Sequence, residues 1–90
     1  MTKTKKLMGM KDVKRLVNHW FDKRVEIENG GVMERDAGFH SFREWLETQK
    51  DRGDGVWLYQ WDRAMYQKGL RFVIDDNIGV ITHGIKLKNN

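Results

Sequence analysis

The sequence predicts an α+β fold in a single small domain, and three observations carry that reading. Stretches 10–23 and 56–68 repeat apolar residues at helical spacing. Stretches 70–75 and 78–87 alternate apolar and polar residues as half-buried strands do. No internal repeat or low-complexity segment divides the ninety residues, and that length suits one domain. The predicted order is α-β-β-α-α-β-β, with helices packed on antiparallel β-hairpins. The domain is placed at 10–87, after a flexible basic tail at 1–9 and before a short tail at 88–90.

The first helix runs from about Met10 to Lys23. Val13, Leu16, Val17 and Trp20 fall on one face, with Met10 and Phe21 along its side. Lys11, Lys14, Arg15 and Asn18 take the outside. Asp12 in the first turn and Lys23 and Arg24 in the last suit the helix dipole. Next, Asn29-Gly30 stands between alternating residues, the composition of a tight hairpin turn. Such a turn sets Ile27 across from Val32 and requires positive φ at both turn residues.

Ser41-Phe-Arg-Glu44 reads as a capping box opening the second helix, with Phe42, Trp45 and Leu46 as its apolar stripe. Arg52-Gly-Asp-Gly55 ends it. Asp54 is then placed to cap the third helix, Val56–Lys68, and Gly69 suits the left-handed position after its C-terminus. That helix organises the chain. Trp57, Leu58, Trp61, Ala64 and Met65 share its inner face. Tyr59, Arg63 and Tyr66 share the opposite one, with Gln60 and Gln67 along one edge and Asp62 on the other. Leu70–Asp75 and Ile78–Leu87 form the closing hairpin around Asp75-Asp-Asn77. Gly79 and Gly84 mark a bulge or a close backbone approach in the last strand. Ile81, His83, Ile85 and Leu87 are expected on one face of it. Trp20, Trp45 and Trp61, each on an apolar stripe, are expected in the core.

Composition narrows the function. With no cysteine there is no disulfide, thiolate metal site or thiol nucleophile. No apolar run is long enough to span a membrane, and residues 1–12 lack the apolar stretch of a signal peptide, so the expected setting is the cytoplasm. The net charge of +4 is uneven. Residues 1–24 carry eight Lys/Arg against two Asp, and residues 25–51 carry three against seven Asp/Glu. A basic leading segment hints at an acidic partner such as nucleic acid, but a solubilising tail is the commoner role of a Lys-rich N-terminus.

Catalytic chemistry finds little support. His19, His40 and His83 share no metal-ligand spacing. Asp75 and Asp76 are ordinary turn residues before they are catalytic ones. No phosphate-cradling glycine loop and no nucleophile motif is present. Lys68-Gly-Leu-Arg-Phe-Val73 departs from the RNA-recognition signature at the positions that should be stacking aromatics. No enzyme, cofactor or metal is expected. The exterior of the third helix is the remaining lead, with Tyr59, Gln60, Arg63, Tyr66 and Gln67 as candidate partner-binding residues. Tyr and Arg are enriched at protein interfaces. The same side chains can read base edges, and Lys5, Lys6, Lys11, Lys14 and Arg15 are the candidate phosphate contacts that a nucleic-acid partner would use. A solvated helix exterior explains them as well. The sequence reading favours an accessory regulator or inhibitor of a larger protein or nucleoprotein complex, of the kind carried by phages or mobile elements. A nucleic-acid-associated regulator is its alternative.

Overall fold

The computed structural model describes residues 8–49 and 55–88. Among them are three helices and a three-stranded antiparallel sheet: α1 (Met10–Arg24), β1 (Val25–Glu34), α2 (Arg35–Glu47), α3 (Leu58–Gln67), β2 (Val73–Asp75) and β3 (Gly79–Leu87). The strand order is β1-β3-β2. The observed order is thus α-β-α-α-β-β, one strand fewer than the sequence reading. Lys5, Lys6, Asp54 and most of the 1–9 tail lie outside the described residues, as do 89 and 90.

α1 forms where the apolar stripe predicts, and Val13, Leu16, Val17 and Trp20 are buried. It is the hub, touching α2, α3 and β1. Trp20 sits at the centre. Its ring meets Phe42 edge-on at 5.8 Å and Trp61 at 5.8 Å, and its indole Nε1 donates to Ser41 Oγ at 3.1 Å. Trp61 in turn meets Phe39 and Phe72, each at 5.7 Å. Aromatic pairs of this kind contribute about 0.5–1.5 kcal/mol each beyond the area they bury. Trp45 is buried beside Phe42, so all three expected tryptophans lie in the core. Met8 is buried too, two residues ahead of α1.

Three local expectations are corrected. The first concerns residues 24–36, which do not fold back as a hairpin. β1 runs on through Asn29-Gly30 and pairs with β3 along its length, from Val25↔Leu87 to Glu34↔Ile81. Between Ile27 and Val32 it advances five residues while β3 advances two, from Ile85 to His83, so the excess bulges out. Gly30 takes the left-handed conformation at φ +83°, but no described non-glycine residue has positive φ, so Asn29 does not supply the second half of a tight turn. A two-stranded hairpin with a half-polar second arm is marginal by itself, whereas pairing along β3 satisfies the same backbone inside a larger sheet. Lys86 clips the bulge by ion pairs to Glu28 at 3.1 Å and Glu26 at 3.4 Å.

The second correction is the start of α2. The helix opens at Arg35, six residues before Ser41. Glu44 bonds His40 one turn back at 2.6 Å rather than closing a capping box, and the Ser41 hydroxyl serves Trp20 instead. The extra turn is held by Gly38 and Phe39. A Cβ at Gly38 would stand 2.6 Å from Met33 Cε and 3.1 Å from the Trp61 ring, so its absence lets α2 close on β1 and α3. Such contact offsets the roughly 1 kcal/mol that glycine costs inside a helix.

The third concerns β3. Gly84, at φ +90°, sits where the pairing slips. Thr82, opposite the core residue Met33, and Ile85, itself in the core, therefore both face the helices. His83 is exposed, so Ile81, His83, Ile85 and Leu87 do not form one buried face. The Asp75 turn is as expected: its Oδ1 accepts from the Asn77 and Ile78 amides at 2.8 and 3.0 Å.

Candidate functional site

The site is the outer face of α3 and its two ends. Trp61, Ala64 and Met65 are buried at three- and four-residue steps, which turns Tyr59, Arg63 and Tyr66 to the outside. Tyr59 and Tyr66 lie two turns apart and are 63% and 59% exposed. Arg63 stands between them, also exposed, and Gln67 is exposed at the last turn.

Both ends of α3 are fixed. At the C-terminus, the Gly69 amide donates to Tyr66 O at 2.9 Å and the Leu70 amide to Met65 O at 3.2 Å. Gly69 holds φ +95°, the left-handed closure that favours glycine. This turn aims Arg71 back at the helix. Its guanidinium lies 3.7 Å from the centre of the Tyr66 ring, and Nη1 donates to Tyr66 O at 3.1 Å and Leu70 O at 3.0 Å. At the N-terminus, Gln60 Oε1 accepts from the Trp57 amide at 2.9 Å while its Nε2 donates to Met8 O at 2.6 Å.

Gln60 therefore departs from the expectation of a partner contact. It is 5% exposed and ties the start of α3 to the segment before α1. An amide with a donor and an acceptor suits a buried position between two backbone groups, and residue type alone does not distinguish that from a surface role. Trp57 departs in the other direction. The helix begins one residue after it, so its backbone is extended and its side chain is 57% exposed rather than on the inner face. Arg71 lies four residues beyond the helix and is missed by any reading of the helix alone. Its signal is the glycine turn that brings the chain back.

The candidate phosphate contacts Lys11, Lys14 and Arg15 are exposed on α1. Arg15 pairs with Asp12 at 3.8 Å. α1 and α3 meet at Lys68, whose Nζ donates to Asn18 Oδ1 at 2.8 Å and stands 4.5 Å above the Phe21 ring. Charge is segregated across the molecule. α1 and the Lys68–Arg71 exit are mainly basic and α3 itself balances Asp62 with Arg63, whereas the strands and their turn carry Glu26, Glu28, Glu34, Asp75 and Asp76 against Lys86. Beside the aromatic face, burial raises the Asp62 carboxyl above its usual range, against the pull of Arg35, with Asp36 adding to the rise. Among the described residues its Oδ1 has no hydrogen-bond partner.

Among the described residues no group of three His, Asp or Glu side chains could hold a metal ion, and no helix is long and apolar enough to cross a membrane. His40 is occupied by Glu44, and His19 and His83 stand exposed on different elements. The sequence matches no family model, and the comparisons find neither a curated protein nor a solved structure similar to it.

Proposed function

We propose that this chain is a non-enzymatic binding protein that acts on a larger protein or nucleoprotein complex through the outer face of α3. One observation carries the reading: Tyr59 and Tyr66 are large aromatic side chains left in water on one face of α3, with Arg63 between them, Arg71 against the Tyr66 ring and Trp57 exposed just ahead of the helix. Scattered exposed apolar residues need no explanation, but this grouping has the composition of an interface hot spot. The fixed ends of α3 support the reading further. A helix closed by Gln60 and by the Gly69 turn presents a fixed backbone, so only side chains are left to order on binding. Gln67 borders the face, and Gln60 supports it from within. A cytoplasmic setting suits a cysteine-free chain of this kind.

Affinity capture from cell lysate, with and without nuclease, tests the proposal. The expected result is a protein that stays bound after nuclease treatment and is lost with Tyr59→Ala or Arg63→Ala. A hot-spot truncation should cost about 2 kcal/mol or more of binding. The nucleic-acid reading rests on the exposed Lys11, Lys14 and Arg15 of α1. It requires a gel shift at low salt, with a salt slope that falls by about one for each lysine removed that makes a phosphate contact.

A further inference from the structure

We infer that the α3 face takes an acidic segment of its partner protein, with the guanidinium of Arg71 as a fixed clamp for an Asp or Glu carboxylate. The inference rests on the interface reading above and names the chemistry of what that interface receives. Arg71 is held in place before any partner arrives. Its carbon lies 3.7 Å from the Tyr66 ring centre, and Nη1 is spent on two backbone carbonyls, Tyr66 O and Leu70 O. The Nε and Nη2 edge makes no bond among the described residues, and the side chain is exposed. That edge is the planar fork that takes a carboxylate through two parallel hydrogen bonds. Arg63, one turn before Tyr66 on α3, is exposed with no ion pair among the described residues, so a second cation awaits a partner.

Charge complementarity selects the occupant. The segregated charge draws an anionic segment to the α1–α3 side and repels it from the strands. A protein carboxylate fits this face better than a phosphate backbone does. A nucleic acid carries its charges in an unbroken series and is bound by an equally continuous cationic track. Here that track is interrupted: Asp12 occupies Arg15, and Asp22 and Asp62 stand among the remaining cations. One fixed guanidinium at Arg71 and a second, exposed one at Arg63 beside aromatic residues suit a few carboxylates spaced by apolar side chains.

The test is fluorescence anisotropy with the full chain and three labelled probes. These are a peptide of alternating glutamate and phenylalanine, its glutamine-for-glutamate counterpart, and a thymidine oligonucleotide of equal charge. The acidic peptide is expected to bind, with the glutamine counterpart about tenfold weaker or more, the loss expected for a charged hydrogen-bonded pair. Arg71→Lys keeps the charge and loses the fork, and it should weaken the acidic peptide about tenfold. Arg71→Gln should do the same, and thermal melts should show both variants folded. The inference is overturned if Arg71→Lys binds the peptide as the parent does. It is also overturned if the oligonucleotide binds tighter than the peptide, or if the peptide fails to bind at about millimolar concentration. Capture from lysate separates this failure from that of the interface. A partner lost with Tyr59→Ala but kept with Arg71→Lys leaves the interface standing and removes the clamp. A partner kept with both removes the interface as well.

Discussion

Trp61 and Tyr59 stand two residues apart on α3, yet Trp61 is fully buried and Tyr59 is mostly in water. Their residue types do not account for this, since both are aromatic and both carry one polar atom. The difference lies in what receives them. Trp61 enters a space prepared by Trp20, Phe39, Phe72 and the missing side chain of Gly38. Among the described residues Tyr59 has no such partner, and its neighbour along the face, Tyr66, is covered by the Arg71 guanidinium. The comparison teaches that one helix can hold the fold with one side and leave the other free for recognition. Each side then has its own readout, stability inside and binding outside.

The largest expected effect is Trp61→Ala. Removing a fully buried indole should cost about 3–5 kcal/mol, a large share of the roughly 5–15 kcal/mol that holds a domain together. Thermal or denaturant unfolding measures it, and a near-native midpoint would dissolve the distinction between the two sides. Gln60→Ala comes next. It strips the Trp57 amide and Met8 O of their partner, and about 1–3 kcal/mol of stability should go with them. If instead it abolished partner binding at unchanged stability, Gln60 would belong to the outer side after all. Tyr59→Ala should move stability by about 0.5 kcal/mol at most, as surface substitutions do, while removing the captured partner. A clear drop in melting temperature would assign Tyr59 to the fold.

The smallest effect is expected at Asp62, on the boundary between the sides. Its folded carboxyl titrates above the unfolded one, so the folded chain binds its proton more tightly. That contribution to stability is fully present below the unfolded value and is lost as pH rises through the folded one. At about pH 7 the charged, partly buried carboxylate is therefore a burden, which Asp62→Asn lifts. The variant should melt slightly higher near neutrality and level with the parent at about pH 3. Solvent around the exposed part of the group keeps the gain small. A variant that melts lower near neutrality would show that the charge is satisfied.

Much of the fold was legible where one local pattern sufficed. The stripes of α1 and α3 and the burial of Trp20, Trp45 and Trp61 followed from periodicity. The Gly69 closure and the Asp75 turn followed from turn chemistry. What escaped depended on distant partners. Gly38 looks like loop punctuation until Met33 and Trp61 crowd it. Asn29-Gly30 looks like a hairpin until β3 offers β1 a longer ladder. Of the candidate site, Tyr59, Arg63, Tyr66 and Gln67 came out exposed, while Gln60 turned inward to serve backbone groups 3 and 52 positions away. Trp57 and Arg71 were hidden because helical spacing does not extend past the ends of the helix.

The bulged, acidic course of β1 has a consequence for how copies of this chain meet one another. β1 is an edge strand, and among the described residues its outer side pairs with nothing. Ten residues of unpaired edge are a template on which a second chain could add, the usual beginning of sheet-to-sheet aggregation. Here the excess residues between Ile27 and Val32 break the even spacing that an added strand would need. Two β1 strands brought together in parallel register would also set Glu26, Glu28 and Glu34 against their own copies, with one Lys86 shared between two of the three carboxylates. The irregularity that hides this strand from a hairpin reading thus also guards it against polymerisation. Concentrated salt, with a screening length of about 3 Å at 1 M, removes the charge part of that guard and leaves the shape.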